Sequence, residues 1–171
     1  MNHDLAESIF VEIRNRPYAW ACKEGVAANN CYYKGIELLR RLGEAGYAVR
    51  GRVGETCLDS KIPERIRELY PDEFKLTHFF VEAHIDDKWR VLDPSFDPPL
   101  KRHGFIVNDW GSNRTCFEIT QLYSQEEQIV YQQEWFSHEY ASRYFDKIFP
   151  CARALNEYLE RLRLNKEIAS P

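Results

Sequence analysis

The sequence contains no apolar run long enough to cross a membrane. A transmembrane helix needs about 20 consecutive apolar residues, and no stretch of this 171-residue chain approaches that length. The N-terminal segment MNHDLAESIFVEI carries acidic residues among its apolar ones, which is typical of an amphipathic helix and not of a secretion signal. We therefore expect a cytoplasmic protein without a membrane partner.

A strong positive charge is also absent. The formal net charge is −4, and the sequence has no basic stripe or basic tail. Proteins that bind nucleic acid concentrate lysine and arginine on one surface, because phosphate contacts supply much of their affinity. The sequence therefore argues against a nucleic-acid partner.

Closely spaced cysteine pairs are missing as well. The chain has an odd number of widely spaced cysteines and no CxxC, and these five residues are Cys22, Cys31, Cys57, Cys116 and Cys151. Structural zinc sites need ligand pairs at short spacing, and disulfide frameworks belong to oxidising compartments. We expect no metal site and no cofactor, and we expect at least four of the cysteines to be inert small hydrophobic residues.

The length and the order of patterns predict the fold class. A chain of this size suits one domain with a single core, so we assign residues 1–171 to one domain. Apolar residues follow a helical spacing over about residues 3–15, strand patterns occupy the middle of the chain, and helical patterns return after Ser124. This order is typical of an α+β fold with a segregated antiparallel sheet.

The middle and the end of the chain contain several shorter predicted elements. Residues 47–58 predict a strand, and residues 61–74 predict a short helix or lid between prolines. Residues 104–120 are expected to hold two more short strands. The C-terminal helical pattern is expected to divide at Pro150, since proline interrupts helical hydrogen bonding.

Cys31 lies at the predicted start of a helix within AANNCYYKGIELLRRLG, residues 27–43. Asn30 is a favourable N-cap, and either Gly43 or Gly46 can end the helix in the left-handed conformation. A thiolate at this position is stabilised by the positive end of the helix dipole. Cys31 is therefore either an inert buried thiol or a nucleophile.

A predicted hairpin places a histidine beside an aspartate. In THFFVEAHIDDKWRVLDPSFD, residues 77–97, one alternating set is uniformly apolar and is expected to face the core: Phe79, Val81, Ala83 and Ile85. His78 therefore faces the opposite side of the sheet. A two-residue turn at Asp86 and Asp87 places Asp93 diagonally opposite His78, with about 7–8 Å between the backbones. A carboxylate and an imidazole can form a hydrogen bond across that distance.

Cys31, His78 and Asp93 match the roles that thiol-dependent acyl transfer requires. A thiolate attacks an acyl carbon, an imidazole takes and returns the proton, and a carboxylate orients the imidazole. Asp97 is the alternative orienting carboxylate, although it lies beyond the predicted strand.

The segments CYYKGIELLRRLGEAGYAVRGRV and HFFVEAHIDDKWRVLDPSFD carry a family resemblance over about residues 17–100. The spacing from His78 through Val81, Glu82 and Trp89 to Asp93 resembles the H…VE…W…DP pattern of the transglutaminase-like superfamily, a branch of the papain-like cysteine enzymes. The likeness is greatest to small prokaryotic members. It implies a cysteine-bearing helix packed on an antiparallel sheet, here with extra C-terminal helices, and acyl transfer through a thioester.

The resemblance leaves the donor to the oxyanion open. Phe79 stands where many relatives have a tryptophan, and AANN replaces a glycine-rich approach to the cysteine. Backbone N–H groups at the start of a helix are suitable oxyanion donors, so the N–H of Cys31 is one donor. The candidates for the other donor are Tyr18, Trp20, Asn29 and Asn30.

We therefore expect a metal-independent cysteine enzyme that acts as a peptide or amide hydrolase. Cys31 is the expected nucleophile, His78 the general base and then acid, and Asp93 the orienting group. The alternatives are a catalytically silent transglutaminase-like module that binds a peptide or protein, and an acyltransferase that passes the acyl group to an amine. The sequence indicates neither the substrate nor the oligomeric state.

Two further pairs of residues have alternative interpretations. Arg50 and Arg52 flank a glycine on the strand after the cysteine helix, where they can bind a substrate carboxylate or form a structural ion pair. Trp89 and Trp110 are expected to belong to the core.

Overall fold

The structure is a computed structural model and describes residues 3–22, 28–135 and 137–164. Its helices are α1 (His3–Arg14), α2 (Cys31–Glu44), α3 (Glu64–Arg67), α4 (Gln125–Trp135) and α5 (His138–Arg163), with a 3-10 helix at Pro98–His103. Its strands are β1 (Val49–Thr56), β2 (Thr77–Ile85), β3 (Lys88–Leu92) and β4 (Ile119–Leu122). The strands form one antiparallel sheet in the order β3-β2-β1-β4, so the α+β class is confirmed.

The predicted hairpin register is confirmed. Ile85 pairs with Lys88 and His84 pairs with Trp89, which leaves a two-residue turn. Both turn residues are left-handed, with φ of 51° at Asp86 and 60° at Asp87. A type I′ hairpin turn requires this conformation at both central positions, and aspartate tolerates it better than most residues. Asp93 follows β3 directly.

Both predicted ends of the cysteine helix are confirmed. The Asn30 side chain accepts a hydrogen bond from the Tyr33 N–H at 3.0 Å, so Cys31 is the first residue of α2. At the other end, Tyr47 N–H donates to the Leu42 carbonyl and Gly46 N–H to the Gly43 carbonyl. Gly46 has φ 89°. These two bonds with a left-handed glycine form a Schellman motif, which ends the helix.

One hydrophobic cluster joins α1 and α2 to the sheet. The apolar set of β2 faces this cluster as predicted, together with residues of both helices: Ile9, Phe10, Ile13, Leu38, Leu42, Phe79, Val81, Ala83 and Ile85. The Phe79 ring fits between two glycines, because a Cβ at Gly51 would lie 2.7 Å from its Cζ and a Cβ at Gly35 would lie 2.6 Å from its Cε1. The two glycines therefore allow the cysteine helix to approach the sheet.

A second cluster packs α5 against the loops around the His78 end of β2. Its buried members include Tyr18, Phe96, Leu100, Phe117, Leu155 and Leu159. The Phe117 ring contacts the His78 ring, with 4.5 Å between the centroids. The C-terminal helix therefore takes part in covering the predicted site.

Two predictions about elements are wrong. No strand is found within residues 104–118; of the two expected strands, only β4 forms, from Ile119. Gly104, Gly111 and Asn113 all have positive φ, which breaks extended backbone. Helix α5 also continues through Pro150. Ile148 and Cys151 on either side are buried, and this packing offsets the hydrogen bond that the proline removes.

The two tryptophans differ in burial. Trp110 is half-buried and packs against the first cluster as predicted. Trp89 is 41% exposed, which corrects its assignment to the core. It lies on the polar face of the hairpin, where its ring contacts His84 and the Arg50 guanidinium lies 4.2 Å from the ring centroid. The pairing of Trp89 with His84 in the register explains its position on that face.

No helix in the described part of the chain has both the length and the apolar character that crossing a bilayer requires. Residues 23–27, in the stretch that precedes the cysteine helix, lie outside the described residues.

Candidate active site

His78 and Asp93 form a buried pair. The His78 Nε2 atom lies 2.6 Å from Asp93 Oδ2, and the two side chains are 1% and 0% exposed. The His78 ring packs against Phe117 and is stacked with Phe80. The hairpin therefore brings together the two residues that the sequence placed on one face.

Asp93 is held by three donors besides His78. Its Oδ1 atom accepts from the Ser95 N–H at 3.1 Å and the Ser95 hydroxyl at 2.6 Å, and Oδ2 accepts from the Cys116 N–H at 2.6 Å. Burial by itself raises the pKa of Asp93, but the positive charge of His78 and these hydrogen bonds outweigh burial, so the pKa lies below its ordinary value. The carboxylate is therefore ionised and fixed in orientation.

His78 is charged at neutral pH. Burial alone lowers the pKa of the imidazole, but the Asp93 carboxylate and then the Cys31 side chain outweigh it and raise the pKa to about 10. The other ring nitrogen, Nδ1, is buried and has no hydrogen-bond partner in the described chain. Since Nε2 is occupied by Asp93, Nδ1 is the nitrogen left to exchange a proton with the thiol.

Cys31 shares a pocket with His78, Tyr18, Trp20 and Asn30. Its side chain is half-buried, and the N–H groups around it belong to the first turn of α2, where the helix itself supplies no acceptors. The arrangement can therefore present a sulfur, an imidazole nitrogen and the Cys31 backbone N–H to one reacting group.

The other cysteines lie elsewhere. Cys116 and Cys151 are buried; burial raises the pKa of both thiols, in Cys151 to about 11. Cys57 is exposed, and Cys22 is half-buried beside the Trp20 carbonyl. Two of these thiols have the burial expected of inert small hydrophobic residues, whereas Cys57 does not.

Tyr18 and Trp20 form a donor chain at the pocket. The Trp20 Nε1–H donates to the Tyr18 hydroxyl oxygen at 2.6 Å, so this indole N–H is already used. Burial, and next the charge of Cys31, raises the pKa of Tyr18 well above its ordinary value, so the hydroxyl keeps its proton. Among the described residues that proton has no acceptor, and it is available to a ligand in the pocket.

The two asparagines make structural contacts. Asn30 lines the pocket, but its side-chain oxygen accepts the Tyr33 N–H. The Asn29 carbonyl accepts from the Ala19 N–H at 3.3 Å, and Asn29 is not among the lining residues. Of the four side-chain candidates, Tyr18 has the best-placed free donor.

Asp97, the alternative orienting residue, has a different contact. It accepts the Tyr18 N–H at 2.8 Å and binds the Arg163 guanidinium through both oxygens, at 2.7 and 2.8 Å. The carboxylate beside His78 is Asp93, so the alternative assignment is wrong. Asp97 lies five residues beyond the end of β3, where the chain has left the sheet and contacts α5.

Sequence reasoning missed the residues of α5 that hold the Tyr18–Trp20 segment. The Asn156 side chain accepts from the Trp20 N–H at 2.8 Å and donates to the Trp20 carbonyl at 3.0 Å. Arg163 donates to the Tyr18 carbonyl at 2.8 Å. Neither residue has a local sequence signal, because both contacts cross more than 130 positions of the chain.

Sequence reasoning also missed Lys34, a buried lysine that connects three segments of the chain. Its ammonium group donates to the carbonyls of Arg14, Arg16 and Ser95 at 2.7–3.0 Å. Burial lowers its pKa to about 8. The side chain joins the cysteine helix to the loop that carries Ser95, and so supports the position of Asp93.

Two remaining predictions concern charged and metal-binding residues. Arg50 Nε lies 2.6 Å from Glu82 Oε2 and neither arginine lines the pocket, so Arg50 forms the structural ion pair. In the ranges that the structure describes, no group of three or more His, Cys, Asp and Glu side chains is placed to hold a metal ion.

The family of the chain is not established by comparison with known proteins. No protein-family model, no curated protein and no solved structure matches it. The functional argument therefore rests on the residues and distances given above.

Proposed function

We propose that this chain is a cysteine-dependent acyl-transfer enzyme with a papain-like and transglutaminase-like core, which hydrolyses peptide or amide bonds through a thioester. One observation carries the proposal. The buried His78 ring is held 2.6 Å from Asp93 through Nε2, and its unpartnered Nδ1 is left for Cys31, which lies in the same pocket.

The first step is attack by sulfur. In the proposed resting site Nδ1 of His78 already holds the proton of the Cys31 thiol, and Asp93 stabilises this imidazolium beside the thiolate. The Cys31 sulfur then forms a bond to the carbonyl carbon of the substrate, and the C=O electron pair moves onto oxygen. The Tyr18 hydroxyl and the Cys31 N–H donate hydrogen bonds to that oxyanion, which lowers the barrier.

The second step releases the amine and then the acid. The oxyanion re-forms the C=O bond, the C–N bond breaks, and the leaving nitrogen takes the proton from Nδ1. A water molecule next attacks the thioester while giving a proton to Nδ1 of His78, and the C–S bond breaks to restore the thiolate beside the imidazolium. An amine in place of water would give acyl transfer, because the first half of the reaction is the same.

The proposed setting is the cytoplasm. All five cysteines are free, and a reducing compartment keeps a nucleophilic thiol available. The proposed partner is a peptide or amide substrate.

The test compares wild type with Cys31→Ala and with Cys57→Ala, whose thiol is exposed and outside the pocket. Across a panel of amide and ester substrates, we expect turnover and a mass-detected acyl adduct in wild type and Cys57→Ala. Cys31→Ala should show neither. Activity that survives in Cys31→Ala would refute the assigned nucleophile.

Two controls separate the alternatives. Product analysis with and without an added amine distinguishes hydrolysis from amine transfer. A wild-type protein that forms no adduct with any substrate of the panel, yet binds peptides, would support the silent binding module.

A further inference from the structure

The pocket beside Cys31 is lined mainly by aromatic rings. Its volume is about 320 Å³. Besides Tyr18, Trp20 and Phe117, described above, rings reach it from α2, from the segment after α3, and from α4 and α5: Tyr32, Tyr33, Tyr70, Tyr131, Tyr144 and Phe145. A group bound to Cys31 therefore lies next to an apolar space lined by aromatic rings.

Apart from the reacting pair, the described residues of the lining offer no free charge to a substrate. Besides Cys31 and His78, the described part of the lining contains one side chain that is charged at neutral pH, Lys75. Its ammonium group is paired with Glu55. Two polar side chains in the lining are engaged with each other, since the Thr77 and Tyr131 hydroxyls lie 2.5 Å apart. Transferring an unpaired carboxylate or guanidinium into such a space is strongly unfavourable.

The pocket has room for a ring and a short linker. An apolar cavity of about 150 Å³ holds one benzene molecule, and ligand pockets start at about 300 Å³. The space beside Cys31 is about 320 Å³ and so exceeds what a single ring occupies. An acetyl group alone would leave most of the aromatic surface uncovered.

We propose that this space is an acyl pocket for substrates whose acyl group carries a neutral aromatic ring, such as arylalkanoyl amides and peptides with an aromatic residue before the scissile bond. The inference rests on the proposed function, since the acyl group is the part that becomes bonded to Cys31. That part stays on sulfur in the thioester, so an acyl group seated in the pocket remains bound through both steps.

The test uses protection of Cys31 from iodoacetamide, followed by mass spectrometry of the labelled chain. The competitors are 3-phenylpropionamide, propionamide and the anion succinamate. Since one reagent is used throughout, differences report occupancy of the site by the competitor, either bound or as the thioester on Cys31. We expect 3-phenylpropionamide to give half-protection at a concentration at least about tenfold lower than either other amide.

Phe145→Ala and Phe149→Ala provide matched variants on α5. Phe145 lines the pocket, whereas Phe149 lies one turn further along, is 43% exposed and is not part of the lining. Phe145→Ala should raise the half-protection concentration of 3-phenylpropionamide about fivefold and leave propionamide unchanged. Phe149→Ala should change neither value.

The outcomes are distinguishable. Equal protection by all three amides, with Cys31 labelled normally, overturns the acyl pocket and leaves the nucleophile assignment intact. Labelling of Cys31 no faster than that of exposed Cys57 refutes the proposed nucleophile, and with it this inference. Strong protection by succinamate contradicts the neutral character of the pocket.

Discussion

At the scale of single residues, the hydrogen bonds of Asp93 determine the charge of the candidate site. Three donors and His78 surround its two oxygens, and the whole group is buried. The carboxylate therefore cannot rotate freely, and its oxygens have protein hydrogen-bond partners instead of water. The protonation of His78 depends directly on this one side chain.

Asp93→Asn should shift the titration of His78 downwards. In wild type, Asp93 and then Cys31 outweigh burial and raise the pKa of His78 from 6.5 to about 10. The asparagine keeps the size but removes the charge, so burial is opposed by Cys31 alone and the pKa should fall. NMR titration of the His78 ring measures the change, with the exposed turn residue in Asp87→Asn as control. An unchanged midpoint in Asp93→Asn would contradict the assigned cause.

The same shift makes stability depend on pH. The folded chain binds the His78 proton more tightly than the unfolded chain does, so the imidazolium stabilises the fold fully below pH 6.5. That contribution is lost as the pH rises through about 10. Asp93→Asn should abolish this part of the pH dependence of the unfolding free energy.

The sequence predicted the His78–Asp93 pair but not the donor beside it. Strand alternation and a two-residue turn are local, and together they placed both side chains on one face. The free hydroxyl of Tyr18 could not be found this way. Its availability depends on Trp20 donating to the same oxygen and on contacts from α5.

At the scale of elements, the close contact between α2 and β1–β2 positions the cysteine helix. The Phe79 ring fills the space between Gly35 on the helix and Gly51 on the strand. A side chain at either glycine would have to displace a buried ring. The distance between Cys31 and His78 therefore depends on Gly35 and Gly51, which let the helix pack closely on the sheet.

Gly35→Ala should destabilise the protein. The added Cβ would lie 2.6 Å from Phe79 Cε1, and Gly51 closes the other side of the ring. We expect a loss of about 1–3 kcal/mol in the free energy of unfolding, measured with urea. Alanine's better helix propensity works in the opposite direction by about 1 kcal/mol and does not offset this clash.

Gly43→Ala is the matched control on the same helix. Its added Cβ would meet Val49 Cγ2 at 3.7 Å, an ordinary contact. This variant should be neutral or stabilised by up to about 1 kcal/mol. Equal effects at the two positions would rule out the steric explanation.

Local signals explain which elements were predicted correctly. The N-cap Asn30 and the left-handed Gly46 are sufficient to define α2 from the sequence. Pro150 predicted a break that does not occur, because the buried residues around it hold α5 together. Packing of that kind is not encoded in the neighbouring residues.

At the scale of the whole molecule, α5 connects the end of the described chain to the candidate site. Asn156 binds the backbone of Trp20 through both atoms of its amide, and Arg163 binds the Tyr18 carbonyl and Asp97. The Tyr18–Trp20 segment follows α1 and has no regular structure of its own. Its position is therefore set by a distant helix, which local patterns could not predict.

Asn156→Ala should reduce catalysis more than binding. Loss of both hydrogen bonds frees Trp20 and displaces the Tyr18 hydroxyl, so we expect kcat to fall about tenfold or more with KM little changed. Labelling of Cys31 by iodoacetamide should persist, because the thiol and His78 stay in place. The control is Glu157→Ala, an exposed neighbour on the same helix. New labelling of the buried thiols Cys116 and Cys151 in Asn156→Ala would indicate general unfolding instead.

The position of α5 has a consequence for protein synthesis. A ribosome completes Cys31, His78 and Asp93 long before it adds Asn156 and Arg163, which hold the oxyanion donor. A nascent chain that already contains Cys31 therefore lacks the contacts from α5 that hold Tyr18 and Trp20 until this helix has been made. In the proposed enzyme, the order of synthesis thereby delays activity until α5 is complete.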